Sequence, residues 1–273
     1  MSIFFAAPID QYPDYNRVTN LPVCATADPA FPASNLLTYD PTQVMRSTTN
    51  TPVITWDFGV ARTFDVVSLL YTNIQDIGTL LIEGSLNNTA WTTLYNGLAL
   101  AHLVAGQATQ NKMNMLRNNL TLLNLSSPVS YRYLRISLNT LGAGTLPTIG
   151  RLFVGTKYKP TYGWQYGSQF TFTDLSKRDR TDRGAQVLDP IPPVLGANVK
   201  LDFMSKDEMY DYIFDFNYWR GSGREILACL DVEDTKRLQK NTLYCTISDG
   251  RTISFDSYNT HSVAWVLESI GVG

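Results

Sequence analysis

Residues 130–137 read Ser-Tyr-Arg-Tyr-Leu-Arg-Ile-Ser. Successive side chains of an extended strand point to opposite faces, so Leu134 and Ile136 share one face while Tyr133 and Arg135 share the other. Such alternation is typical of a strand with one face against a core. The segment therefore predicts a sheet that is buried on one side only.

Similar short runs surround this segment in the first part of the chain. They are Val53–Phe58, Phe64–Tyr71, Thr79–Glu83 and Trp91–Tyr95. Turn residues of the Gly, Asn and Pro types bound them, which favours an antiparallel sandwich of two sheets. Residues 97–128 lack a clean period and are predicted as a long excursion that holds one strand.

The composition excludes several functional classes. Of the 273 residues, 17% are charged and the formal net charge is −2, which disfavours nucleic-acid binding through a basic surface. Two His and three Cys are too few for most zinc modules or a disulfide scaffold. No apolar stretch approaches the ~20 residues that span a bilayer, and the N-terminal apolar run is too short for a signal sequence. We expect no membrane insertion.

Charge density changes near Pro160. Residues 1–155 hold 8 basic and 8 acidic residues, whereas residues 156–273 hold 14 and 16 in a shorter length. Pro160 also biases the preceding residue toward extended geometry. The sequence therefore predicts two domains, 1–155 and 156–273.

The first domain resembles the discoidin, or coagulation factor 5/8 type C, family over residues 30–155. The resemblance rests on five signatures in order: Asn35-Leu-Leu with Asp40 and Arg46-Ser47, Ile54–Gly59, Ile82–Ser85 with Trp91, Tyr131–Ile136 and Ile149–Gly155. It implies a galactose-binding-like jelly roll with Trp56, Phe58, Ile82, Trp91, Leu134 and Ile136 between its sheets. Members of the family bind glycans or phospholipid headgroups through loops at one end. No glycan-binding residue and no metal ligand is assigned here.

The second domain begins with a period-2 run of aromatic residues. Trp164, Tyr166, Phe170 and Phe172 would share one face of a half-buried strand within residues 162–172. A long loop of unassigned role is predicted over residues 176–198, followed by a strand at Val199–Phe203.

One amphipathic helix is predicted at about 205–219. Ser205 and Glu208 form a capping-box pattern, and apolar residues follow at helical spacing before Gly221 and Gly223. Further strands are predicted at Glu225–Leu230, Thr242–Ile247, Arg251–Phe255 and Ser262–Ile270, with Asp249-Gly250 as a hairpin turn.

The second domain resembles the belt domain of distal tail and baseplate-hub proteins of bacteriophages. That resemblance rests on the aromatic strand, the charged loop, the single helix and the final strand that ends Trp265–Ile270. It implies a homo-oligomeric ring, hexameric as in those proteins, that contacts other tail proteins such as the tube and hub. In those proteins the belt domain precedes the sandwich, whereas here it follows.

Two groups of residues are candidates for the oligomer interface. The first is the charged run Lys177, Arg178, Arg180 and Arg183, which is either a solvated loop or a docking arm. The second is the aromatic set Tyr162, Trp164 and Tyr166, which is either core or interface.

No residue pattern indicates catalysis or a cofactor. His102 lies in an apolar run and is predicted to be packed, and His261 is predicted to be solvated in a turn. Asp211 and Asp215 are predicted on a solvated helix face. Cys229 and Cys245 are predicted as buried free thiols.

The sequence thus favours a non-enzymatic structural protein of a bacteriophage tail tip, assembled in the host bacterial cytoplasm and carried in the virion. The sandwich would lie at the periphery of the ring, where it either contacts a host-surface saccharide or only decorates the tail. The alternative is a glycan-binding, lectin-like protein or the accessory module of a carbohydrate-active enzyme.

Overall fold

The computed structural model of the chain describes residues 2–74, 78–98, 120–139, 146–180, 185–191, 193–234, 237–250, 252–257 and 259–271. It divides into two compact units. The N-terminal unit comprises Ala6–Lys157 and Asp234–Lys240, and the C-terminal unit comprises Met1–Phe5, Tyr158–Glu233 and Asn241–Gly273. Both are built mainly from antiparallel strands, which confirms the predicted mainly β fold with one amphipathic helix in the C-terminal part.

The strands in chain order are β1 (Phe4–Pro8), β2 (Pro22–Cys24), β3 (Met45–Arg46), β4 (Val53–Leu70), β5 (Thr79–Ser85), β6 (Thr92–Leu98), β7 (Thr121–Asn139), β8 (Thr148–Ile149), β9 (Arg151–Tyr158), β10 (Gln169–Thr173), β11 (Lys177–Arg180), β12 (Gln186–Asp189), β13 (Val194–Met204), β14 (Ile226–Cys229), β15 (Thr242–Asp249), β16 (Ile253–Phe255) and β17 (His261–Ser269). Helix α1 consists of three consecutive segments, Lys206–Glu208, Met209–Phe214 and Asp215–Arg220, and α2 is Leu238–Asn241. Single 3₁₀ turns lie at Ile9–Gln11 and Ala33–Leu37.

The N-terminal unit is organised by the pairing of two long strands, β4 and β7. They pair from Val53↔Ser137 to Leu69↔Thr121, and the register shifts between Asp57 and Arg62. Before this shift β4 also pairs with β2, and after it β4 pairs with β9. The later half of β7 pairs with β5, which in turn pairs with β6. The two strands predicted on either side of Gly59 are therefore a single strand that pairs with different neighbours in its two halves. Gly59 has a φ of +79° at the irregularity between them.

The core of this unit lies between those two groups of strands. Trp56 is fully buried, and the ring of Phe58 meets it edge-on at 4.9 Å. The indole nitrogen of Trp56 donates to the Asn20 carbonyl at 2.9 Å and to the Tyr15 hydroxyl at 2.7 Å. Burial of this large ring is thus accompanied by satisfaction of its one polar atom.

A buried ionic cluster also belongs to the N-terminal unit. The Asp10 carboxylate accepts from Nη2 of Arg151 at 3.0 Å and from Nη2 of Arg17 at 2.7 Å. Both Arg151 and the Asp10 side chain are fully buried, whereas Arg17 is partly exposed and also lies over the Tyr39 ring. Arg151 donates further to the Leu36 carbonyl. Each charge in the cluster therefore has a partner of opposite sign or a polar contact.

The C-terminal unit has a sheet with strand order β10, β13, β17, β15 and β14. Helix α1 covers part of it through Met209 and Ile213, which are buried. The Phe216 ring stacks on Trp265 at 5.5 Å, and the Trp265 indole nitrogen donates to Asn217 Oδ1 at 2.9 Å. The helix is thereby fixed on the sheet by both apolar and polar contacts.

Helix α1 begins as the sequence predicts but differs in its capping and in its winding. Ser205 Oγ accepts from the Glu208 amide at 3.1 Å, as expected for an N-cap. The Glu208 carboxylate, however, accepts from the Tyr158 hydroxyl at 2.7 Å and the Thr161 amide at 2.8 Å instead of reaching back to the cap. Burial, and then the neighbouring Glu208, raise the pKa of Tyr158. Residues Met209–Phe214 form a π-helical turn, a rare geometry that is enriched at functional sites.

Three predicted elements of the C-terminal half differ from the structure. The aromatic strand begins only at Gln169, because the chain turns at Gly167 with a φ of +97°. The predicted loop 176–198 contains a hairpin, in which β11 pairs with β12. Asp249-Gly250 does not form a hairpin, since β15 and β16 both pair with β17.

We expect Asp10→Asn to lower the free energy of unfolding by about 3–5 kcal/mol, because it leaves a buried guanidinium without its counter-charge. Denaturation in urea, followed by tryptophan fluorescence, measures the change. The matched control is Asp14→Asn, which removes the carboxylate that pairs with Arg62; because the Asp14 side chain is 67% exposed, its loss should cost clearly less than that of Asp10. Equal effects of the two variants would contradict this account of the cluster.

Candidate functional site

Trp91 lies outside the core, contrary to the prediction from the family resemblance. It is half-buried and directly precedes β6. The guanidinium carbon of Arg135 lies 4.1 Å from the centroid of its ring. Arg135 belongs to the face of β7 opposite the buried Ile136, and Trp91 joins it on this outer face.

Glu83 fixes the position of Arg135. The two residues stand directly opposite each other in the pairing of β5 with β7. Glu83 Oε2 accepts from Nε of Arg135 at 2.7 Å, and Nη2 of Arg135 lies 2.7 Å from the same oxygen in the ion pair. The Glu83 side chain is nearly buried while that of Arg135 is partly exposed, so the carboxylate anchors the guanidinium from below and leaves it beside the indole ring at the surface.

A second arginine of β7, Arg132, repeats this arrangement with a carboxylate of the strand on its other side, β4. Arg132 donates to both carboxylate oxygens of Asp57 at 2.9 Å, and its guanidinium carbon lies 4.9 Å from the Tyr133 ring centroid. The hydrogen bond from Arg132 lowers the pKa of Asp57 below its usual value. Both charges of this pair are therefore present at neutral pH.

A rigid polar turn lies beside Trp91. Ser85 Oγ accepts from the amides of Asn87 and Asn88 at 3.3 and 3.0 Å. Asn87 Oδ1 accepts from the amides of Thr89 and Ala90 at 3.1 and 3.0 Å. These bonds hold the turn 86–90 in one conformation while its exposed side chains remain available for contacts.

These residues form one surface, which we call the outer-face cluster. Its members are Asp57, Glu83, Trp91, Arg132, Tyr133 and Arg135, with the turn 86–90 at its border. It offers aromatic rings beside guanidinium donors and carboxylate acceptors. Part of this cluster is visible in the sequence, which places Tyr133 and Arg135 on the polar face of a period-2 strand. The sequence does not indicate that Arg132 lies beside the Tyr133 ring or that Trp91 lies beside Arg135.

The predicted aromatic interface residues occupy different environments. Trp164 packs against the core of the C-terminal unit and meets the Phe170 ring at 5.9 Å. Tyr162 is exposed beside Phe203, and Tyr166 is fully exposed at 102%. Phe172, predicted on the same buried face, is 71% exposed.

The predicted charged residues lie on the hairpin of β11 and β12. Lys177, Arg178 and Arg180 are all exposed on β11, and Arg183 lies outside the described residues. In the register of the hairpin Arg178 faces Leu188 and Arg180 faces Gln186. The structure thus supplies a strand pairing that the sequence analysis did not predict.

Most exposed aromatic side chains belong to the C-terminal unit. Among the described residues, eleven of the twelve exposed Phe, Tyr and Trp side chains lie there, and Tyr39 alone lies in the N-terminal unit. Helix α1 carries five of them: Tyr210, Tyr212, Phe214, Tyr218 and Trp219. An exposed apolar surface of this kind usually marks an interaction site.

The remaining predicted residues are placed as follows. His261 is buried against the Phe255 ring at 4.9 Å, so the prediction of a solvated histidine is wrong; as the first residue of β17 it pairs with both β16 and β13. His102 lies outside the described residues. Cys229 and Cys245 are buried free thiols, as predicted, and burial raises the pKa of Cys229 to about 11. Asp211 and Asp215 are exposed, as predicted.

The described ranges contain neither a metal-binding group of side chains nor a membrane-spanning helix. Within them, no group of three or more His, Cys, Asp or Glu side chains is placed to hold a metal ion. No helix in the described part of the chain is long and apolar enough to cross a bilayer.

Comparison with known proteins finds similarity at the level of solved structures. No protein-family model matches the sequence, and no curated protein matches it. A chitosan-binding module from a Paenibacillus chitosanase/glucanase matches with 15% identity and a TM-score of 0.39, over 52% of this chain and 98% of the module. A family 32 carbohydrate-binding module of Clostridium perfringens NanJ, in complex with galactose, matches with 15% identity and a TM-score of 0.40, over 56% and 98%. A Ruminococcus gnavus fucosidase in complex with fucose matches with 17% identity and a TM-score of 0.40, over 55% of this chain and 28% of the enzyme.

We expect Glu83→Gln to lower the free energy of unfolding by about 1–3 kcal/mol, because it removes a charged acceptor from a shielded hydrogen-bonded pair. The freed guanidinium should also shift the tryptophan fluorescence of the native protein, because the surroundings of Trp91 change. Glu268→Gln is the control, since Glu268 is exposed and its replacement should change stability by less than about 0.5 kcal/mol. An unchanged stability of the Glu83 variant would show that the pair has no structural role.

Proposed function

We propose that the chain is a non-enzymatic binding protein whose N-terminal unit recognises a saccharide at the outer-face cluster. The observation that carries this proposal is the half-buried Trp91 ring, held against Arg135 by the Glu83 carboxylate at 2.7 Å. The surface is built from a strand and a rigid turn, so its groups are in place before a ligand arrives. Such preorganisation lowers the entropic cost of binding.

The chemistry of the cluster suits a sugar. A pyranose ring has an apolar C–H face and hydroxyl groups that both donate and accept hydrogen bonds. Aromatic rings such as Trp91 and Tyr133 suit the apolar face, while guanidinium and carboxylate groups suit the hydroxyls. This combination of apolar area and few oriented polar groups is general for small-molecule sites.

The charge of the cluster favours a neutral saccharide. Arg132 is paired with Asp57 and Arg135 with Glu83, so the two positive charges are balanced within the surface. A phosphate or sulfate group would have to displace a carboxylate from its arginine. We therefore propose neutral hexoses, free or at the ends of oligosaccharides, as the ligand class.

Trp91→Ala should reduce saccharide binding by at least about tenfold, because the variant removes the stacking surface and leaves Arg135 uncovered. An array of neutral oligosaccharides identifies a ligand for the full chain, and titration calorimetry then compares the variants. Tyr39→Ala is the matched control, since Tyr39 is an exposed ring that, like Trp91, lies beside an arginine, Arg17 at 4.7 Å, but it lies outside the cluster. Equal losses in both variants, or no binding by the unmodified chain, would overturn the proposal.

A second function is favoured by the C-terminal unit. We propose that this unit joins copies of the chain in a homo-oligomer, as in the ring of a bacteriophage tail-tip protein. The supporting observation is the concentration of exposed aromatic side chains in this unit. β10 adds to it, because in the described part of the sheet it pairs with β13 alone and leaves an open edge.

The unmodified chain should therefore assemble in a concentration-dependent way. Sedimentation velocity from about 0.1 to 100 μM should show a shift from monomer to a closed oligomer, since standard interfaces of this kind give dissociation constants in or below that range. Electron microscopy of the assembled fraction would then show whether it is a ring. A monomer at every concentration would exclude self-assembly and with it the tail-ring function.

A further inference from the structure

The hairpin of β11 and β12 has one uniformly basic face, although its sequence alternates in charge. Arg178 and Arg180 are two residues apart on β11 and so share a face, together with their cross-strand partners Leu188 and Gln186. The opposite face carries both acidic residues of the described hairpin, Asp179 and Asp189, beside Lys177 and Val187. Strand geometry therefore separates two guanidinium groups and an exposed Leu188 from the carboxylates.

Helix α1 has a complementary exposed face. Tyr210, Phe214 and Tyr218 follow one another at intervals of four residues, and their ring centroids are 6.2 and 6.5 Å apart. Asp211 and Asp215 each follow one of these rings directly in the sequence and are exposed. Within the described part of the chain neither carboxylate forms an ion pair, although like charges four residues apart destabilise a helix.

The spacing of the two faces is the same. Side chains two residues apart on an antiparallel strand are separated by about 6.8 Å, which matches the separations of 6.2 and 6.5 Å between the rings of α1. Arg178 and Arg180 could each lie over one ring of the row and approach the adjacent aspartate. Arginine stacks on aromatic faces and pairs with carboxylates in one geometry.

These contacts are not formed within one copy. Among the described residues, no cation–π contact joins Arg178 or Arg180 to a ring of α1, and the only ion pair of Arg178 is an exposed one with Asp174 at 3.5 Å. An exposed pair of that kind contributes little and can be exchanged. Both complementary faces are thus present and available on every copy of the chain.

We infer that the basic face of the hairpin of one copy binds the aromatic and acidic face of α1 on a second copy. This inference deepens the assembly function proposed above by naming its two surfaces. Because the two surfaces are different, the contact is heterologous and can repeat from copy to copy until a ring closes.

Two charge-reversed variants test the inference on the full chain. The hairpin variant is R178E/R180E, and the helix variant is D211R/D215R. Each alone should raise the concentration at half-assembly by roughly 100-fold, because like charges then face each other across the contact. Mixed in equal amounts, the two variants should assemble again. The acidic hairpin of the first variant can bind the basic helix of the second, and the basic hairpin of the second can bind the acidic helix of the first.

The control variant K159E/K177E carries the same change in net charge as the hairpin variant, at exposed lysines that belong to neither face; Lys177 lies on the opposite face of the hairpin. It should assemble like the unmodified chain, and circular dichroism should show the same fold for all variants. Assembly of both reversed variants at the unmodified concentration would overturn the two surfaces while the assembly function stands. A failure of the mixture to recover would equally overturn the pairing, whereas a monomeric unmodified chain would overturn the assembly function itself.

Discussion

The irregularity between Asp57 and Arg62 in the pairing of β4 with β7 is the constraint on which the N-terminal unit depends. Two uninterrupted strands of this length would form a single continuous ribbon with the same neighbouring strands along its whole length. The shift in register lets the first half of β4 pair with β2 and the second half with β9. The same two strands thereby line both sides of the core around Trp56, and they also carry Arg132, Tyr133 and Arg135 on the outer surface.

The sequence predicts the core of the fold better than its surfaces. Period-2 alternation identifies Ile54, Leu134 and Ile136 because their burial depends only on which face of a strand they occupy. The family resemblance places Trp91 wrongly in the core, because the sequence does not show that Arg135, on the outer face of β7, lies 4.1 Å from its ring. The Asp10 cluster is equally hidden from the sequence, since Arg151 is 141 residues away from it along the chain.

In the C-terminal unit, too, the sequence does not predict which surface residues lie together. Alternating charges in the run Lys177–Arg180 have no evident order along the chain, and only the pairing of β11 with β12 places Arg178 and Arg180 together. The period-2 pattern of aromatic residues around Tyr166 likewise does not correspond to one continuous strand. The backbone turns at Gly167, which has a positive φ that glycine adopts readily, although the sequence pattern runs on past it. Periodicity describes a side chain's face only while the backbone keeps one conformation.

The π-helical turn at Met209–Phe214 determines how the sheet-facing side and the solvent-facing side of α1 are oriented. A turn of this type contains one residue more than an α-helical turn. Loss of that residue would rotate the following segment by about 100° relative to the preceding one. Phe216 and Asn217 would then leave Trp265, and Tyr218 would leave the line of Tyr210 and Phe214. The number of residues in this turn therefore determines the orientation of the residues that contact the sheet and of the residues that face solvent. A deletion there would reorient both sets together.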